Sequence, residues 1–196
     1  AVTVNGEFAL DLWGGHTDAT RTDPWREDTL VNVFSCTKAM IALCAHVLVD
    51  RGRLDVNQPI AHYWPEFAAN GKAGVLVRHA LSHQAGLPEF EGESTFEPTI
   101  DWQWLVDNLA NATPAWPAGS QLAYQGFTFG TLIGEIVRRI SGKTLGAFFR
   151  EEVAGPLGAD FHIGQPESEH PRVAQIIDPE YRLAEISASN GYGNAR

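Results

Sequence analysis

The stretch from residue 35 to residue 50 constrains this fold more than any other. Read as a helix, it carries Met40, Ile41, Leu43, Cys44, Val47 and Leu48 on nearly every face. A helix with so little polar surface is a buried one, so other elements must surround it. Arg51-Gly52 supplies its stop. In front of it, residues 1–13 read as a β-hairpin. Val2 and Val4 alternate on one arm, Phe8, Leu10 and Leu12 alternate on the other, and Asn5-Gly6 is the preferred two-residue turn.

Behind the apolar helix the signals are helical. Short or medium helices are expected over 75–81, 101–109, 127–140 and 145–153, with stops at Gly86-Leu87-Pro88, Ser141-Gly142 and Gly155-Pro156. Residues 17–28, 89–99 and 111–120 read as loops, and the last forty residues have no clear pattern. Strand signals at the front and helical signals through the middle give an α+β class, a helical lobe attached to a sheet.

With 196 residues, of which 44% are hydrophobic, the chain is long enough to bury one sizeable core. Its net charge of −10 opposes binding to nucleic acid or anionic lipid, and no basic cluster offsets it. The longest apolar run, residues 39–49, contains His46 and is too short to span a bilayer. Cys36 and Cys44 lie eight residues apart. On one helix that is a rise of about 12 Å, beyond the reach of about 7 Å between Cα atoms in a disulfide. Two free thiols are expected, which suits a cytoplasmic location.

The chemistry centres on Ser35-Cys36-Thr37-Lys38 at the start of the apolar helix. Residues three apart share a helix face, so the lysine amine reaches back to the serine hydroxyl. A serine is a weak nucleophile until a neighbour takes its proton. A lysine does so when burial and the positive end of the helix dipole lower its pKa toward neutrality. The bland alternative is a helix-capping serine beside a solvated lysine. Tyr124 lies between a Pro/Gly loop and a helix start, where a side chain faces a cleft, although a satisfied core tyrosine is the commoner case. No Gly-x-Ser-x-Gly elbow exists. His79 and His83, four apart, read as structural, since no ligand set completes a zinc site. Cys36 reads as a small packing residue, and Trp102, Trp104 and Trp116 as core or as the wall of an apolar cleft.

Val33-Phe34-Ser35-Cys36-Thr37-Lys38 resembles the Ser-x-x-Lys motif of the β-lactamase and penicillin-binding superfamily, and more closely that of the family VIII carboxylesterases. Asp11-Leu12-Trp13-Gly14-Gly15, Tyr63-Trp64-Pro65-Glu66-Phe67, Leu81-Ser82-His83-Gln84-Ala85-Gly86-Leu87-Pro88 and Gly155-Pro156-Leu157-Gly158 follow in the same order as in that family. The resemblance implies a β-lactamase/transpeptidase-like fold: an antiparallel sheet flanked by helices plus a helical lobe, present here in part. Residues 1–196 would be the N-terminal part of one catalytic domain. Strands and the nucleophile helix would occupy about 1–52, the helical lobe about 53–155, and a partial return segment 156–196.

It also implies acyl transfer through a serine acyl-enzyme without metal or cofactor. Ser35 matches the nucleophile, Lys38 the proton acceptor and Tyr124 the tyrosine of the second motif. The Ser35 backbone N–H would be half of an oxyanion hole. Two departures stand out. Gly126 occupies the position where β-lactamases and peptidases place an amide-binding Asn, which favours esters. No third motif follows Tyr124 within the 196 residues, so a longer chain is expected, with a second copy or a complementary segment completing the sheet. The expected function is hydrolysis of short-chain esters by Ser35, with small-molecule esters or amides as partners. A β-lactamase or D,D-peptidase, or a non-catalytic binding module, are the alternatives.

Overall fold

The computed structural model describes residues 1–91 and 101–177, so the end of the 89–99 loop and residues 178–196 lie outside the described residues. The described residues form two units, Val33–Gln165, and Ala1–Asn32 joined by the segment that begins at Pro166.

In the first-named unit, α1 (Thr37–Asp50) follows a short 3-10 turn at Phe34–Cys36. Then come α2 (Ile60–Tyr63), α3 (Val77–Leu81), α4 (Trp102–Asn111), α5 (Thr128–Ser141), α6 (Leu145–Phe149) and α7 (Gly155–Leu157). The α5 helix is central: α1, α2, α3, α4 and α6 all pack against it. Its periodic residues Leu132, Ile133, Ile136 and Val137 are buried, as are Trp64, Phe67, Phe148 and Phe149 around it. Each such side chain contributes about 1.5–3 kcal/mol of burial free energy. Helix ends carry expected chemistry. The Asp101 carboxylate accepts the Gln103 N–H at 2.9 Å, and Thr144 Oγ1 accepts the Ala147 N–H at 3.3 Å. Gly142, at φ 76°, closes α5.

Two polar groups are buried inside this unit. The Glu135 carboxylate is fully enclosed and accepts hydrogen bonds from Trp102 Nε1, Arg138 and Arg139, joining α4 to α5. Lys72 is also enclosed and donates to the Ala112 carbonyl at the end of α4, where the helix dipole favours a cation.

Two expectations are corrected. The apolar helix is buried on one face only, through Ile41, Cys44, Ala45 and Leu48, while Leu43 and His46 are exposed. And Gly155-Pro156 does not end the helix begun at Leu145. The chain widens into a π-helical turn at Arg150–Ala154, where the Gly155 N–H bonds to the Arg150 carbonyl. That turn absorbs the proline, which has no N–H to place, and the stop falls at Gly158, at φ 60°.

The second unit begins with the hairpin, β1 (Val2–Val4) antiparallel to β2 (Glu7–Leu10). Asn5 and Gly6 have φ of 54° and 85°, as the two-residue turn requires. Leu30 pairs with Val173 in parallel, through bonds of Leu30 N–H to the Arg172 carbonyl and Ala174 N–H to the Leu30 carbonyl, both 2.8 Å. No helix among the described residues is long and apolar enough to cross a membrane.

Candidate active site

The site is built where α1 begins. Phe34, just before the candidate nucleophile, sits at φ 45°, a left-handed conformation that costs a bulky residue about 1–3 kcal/mol. Such strain persists where surrounding structure imposes it, and it collects at functional positions. Ser35 follows in the 3-10 turn and is exposed. Lys38, one turn on, donates from Nζ to Ser35 Oγ at 3.3 Å, the reach expected of a pair three residues apart. The same Nζ donates to the Gly126 carbonyl at 2.7 Å, 88 residues along the chain.

Tyr124 completes the cluster. Its hydroxyl donates to Ser35 Oγ at 2.5 Å, and Lys38 Nζ lies 4.8 Å from its ring centroid. Hydrogen bonds that the phenolate oxygen accepts, from Ser35 first and Lys38 second, hold the Tyr124 pKa below its usual value near 10. A lowered phenol pKa means that the phenolate, a base able to take the serine proton, is reached at lower pH. The three residues singled out in the sequence thus converge on one oxygen, Ser35 Oγ.

Gly126 contributes a carbonyl and no side chain, and a Cβ built there would meet nothing within 4 Å. Its carbonyl was not legible in the sequence, which drew attention only to the missing side chain. His83, read as structural, packs its ring 5.0 Å from that of Tyr124, and its Nδ1 accepts the Gln125 N–H at 3.1 Å. His79 Nδ1 instead accepts the Leu76 N–H at the start of α3. Cys36 and Cys44 are both free thiols, as expected. Cys36 is exposed beside Ser35, whereas burial pushes the Cys44 thiol up to about 11. The tryptophans divide: Trp102 bonds Glu135, Trp104 stacks near Phe90, and the indole nitrogen of Trp116 is buried.

Comparison with known proteins extends this geometry. The chain is 42% identical over 182 residues to the esterase/beta-lactamase LipL of Mycobacterium tuberculosis, covering 92% of this chain and 42% of that protein. A penicillin-binding protein homolog from Caulobacter crescentus superposes with a TM-score of 0.80 at 47% identity, over 86% of this chain and 45% of that one. The crystal structure of a family VIII carboxylesterase superposes with a TM-score of 0.82 at 45% identity, over 84% of this chain and 46% of that one. The chain therefore spans less than half the length of these relatives. The beta-lactamase family model matches residues 1–196. With a Ser-x-x-Lys pair at the start of α1 and a tyrosine hydroxyl on the same oxygen, the chain belongs to the beta-lactamase family.

Proposed function

We propose that this chain carries the nucleophile of a serine hydrolase that cleaves short-chain carboxylic esters through an acyl-enzyme on Ser35. The observation that carries the reading is the double approach to Ser35 Oγ, 2.5 Å from Tyr124 and 3.3 Å from Lys38. In the reactive state Tyr124 is a phenolate and Ser35 donates to it along the same short contact. Ser35 Oγ attacks the ester carbonyl carbon, and its proton passes to Tyr124. The carbonyl electrons move onto the oxygen and return as the bond to the alkoxide breaks. Tyr124 then protonates the leaving alcohol. In the second half, water gives its proton to Tyr124, attacks the acyl carbon, and Ser35 leaves with that proton.

Lys38 Nζ, anchored by the Gly126 carbonyl, donates to Ser35 Oγ and lies over the Tyr124 ring. The sequence reading assigned the first proton to Lys38. The shorter contact and the lowered phenol pKa favour Tyr124 for that step. The preference for esters rests on Gly126, which offers no side chain to an amide, and on relatives whose names include esterase and carboxylesterase.

The test is intact mass after a fluorophosphonate ester, with peptide mapping. One adduct on Ser35, absent in Ser35→Ala, is expected, together with faster turnover of nitrophenyl butyrate than of a chromogenic cephalosporin. Near-normal ester turnover by Ser35→Ala refutes the assignment. Faster cephalosporin turnover makes the protein a β-lactamase instead.

A further inference from the structure

We propose that His83 is the positioning residue that aims Tyr124 at Ser35, by gripping the peptide groups on both sides of the tyrosine. The proposal deepens the proposed function and rests on its reading of Tyr124 as the base. Tyr124 belongs to the irregular segment between α4 and α5, so no helical ladder holds it. What holds it is residues 83 and 84, just beyond α3. The Gln84 carbonyl accepts the Gly119 N–H at 2.9 Å, and the His83 carbonyl accepts the Ala123 N–H at 3.1 Å. His83 Nδ1 accepts the Gln125 N–H at 3.1 Å. Main chain and side chain of one residue thus bind the amides of residues 123 and 125. Its ring packs between Tyr124, at 5.0 Å, and Phe129 of α5, at 5.1 Å.

The residue type fits this task. Gln125 is buried, so its N–H needs an acceptor inside the protein. A neutral imidazole with its proton on Nε2 supplies one at Nδ1. Burial first, and the charge of Lys38 second, hold the His83 pKa below its usual value near 6.5, which keeps the ring neutral. His83 also sits at φ 61°, a left-handed conformation in which His and Asn are enriched among residues other than glycine. The His83 ring nitrogen and carbonyl bond the segment that carries Tyr124, so His83 acts through Tyr124.

Two variants separate positioning from bulk structure. His83→Asn places an amide oxygen near the position of Nδ1 and tolerates the left-handed backbone. His83→Gly keeps that backbone and removes both acceptor and ring. A misplacement of about 1 Å costs on the order of 100-fold in rate. His83→Gly should therefore lower kcat by about 10- to 100-fold with little change in KM, and slow fluorophosphonate labelling of Ser35 in parallel, while His83→Asn restores most of the loss. Equal impairment of the two variants, or an unimpaired His83→Gly, overturns the proposal. ¹⁵N-histidine NMR of the unmodified protein gives a readout independent of variant folding: His83 should show an unprotonated Nδ1. A protonated Nδ1 at neutral pH overturns this inference alone, whereas full activity in Tyr124→Phe removes the reading of Tyr124 as the base on which it rests.

Discussion

Replacing Tyr124 with Phe removes one oxygen and leaves the ring. That oxygen lies 2.5 Å from Ser35 Oγ, at the short end of the roughly 2.5–3.0 Å range of O–H···O hydrogen bonds. The phenylalanine ring still fills the space beside His83, 5.0 Å from its centroid. Tyr124 is 56% exposed, so the lost hydroxyl leaves no buried partner stranded. The melting temperature should stay within about 2 °C of the parent. Loss of a positioned general base costs about 10²- to 10⁴-fold. The acylation rate, read as the burst of nitrophenol from nitrophenyl butyrate, should fall by that factor.

The pH dependence carries the sign of the argument. The active form of Tyr124 is the phenolate, and its pKa is lowered from 10. The rate of the parent should rise with pH and level off above that lowered pKa, before the usual phenol value. Tyr124→Phe should lose this limb. A variant within about threefold of the parent, with the limb intact, refutes Tyr124 as the base and returns the proton to Lys38.

Other consequences follow from the helical unit and its thiols. Glu135→Gln keeps one acceptor for Trp102 but turns an amide toward two guanidinium groups, and should cost about 2–4 kcal/mol; a melting temperature within about 1 °C of the parent refutes this. The folded-state pKa of Glu135 lies below its ordinary 4.5, because the hydrogen bonds of Arg138, Arg139 and Trp102 outweigh the desolvation that raises it. Its contribution is thus complete above pH 4.5 and lost as pH falls through the lowered folded value, a decline in acid stability that Glu135→Gln should blunt in urea titrations. Gly146→Ala should destabilise by about 2 kcal/mol or more, because a Cβ there would lie 2.0 Å from the Ile163 carbonyl, a backbone atom with little room to move; normal thermal stability would show that α6 shifts freely. Iodoacetamide at neutral pH should modify Cys36 while sparing Cys44, which is buried with its thiol pushed up to about 11; equal labelling of both would contradict that burial.

Much of this architecture is local and therefore legible from the chain alone. Asn5-Gly6 adopts the two positive φ angles that its composition demands, and the 3.6-residue period of α5 marks the face that is buried. The stops at Gly52 and Gly142 fall where a residue without a Cβ enters the left-handed region. The spacing of Ser35 and Lys38 is likewise a property of one helical turn, so their contact follows from numbering. Where the sequence misled, a non-local or unusual geometry took over. The helix after Leu145 passes through Gly155-Pro156 because a π-helical turn rearranges the backbone bonds around it. The face of α1 with Leu43 and His46 is uncovered among the described residues, although its side-chain pattern resembles that of its buried face.

The sequence by itself determined that a serine and a lysine would share the start of an apolar helix in an α+β chain. Tyr124 was named from a motif resemblance, but only the tertiary structure decided the contacts: its hydroxyl on Ser35 across 89 residues, the Gly126 carbonyl on Lys38, and a histidine that binds the amides on either side of that tyrosine. Periodicity and turn chemistry report on neighbours a few residues apart. A contact across some ninety residues depends on how α3 and α5 pack, and on irregular backbone whose hydrogen bonds go wherever that packing leaves an acceptor.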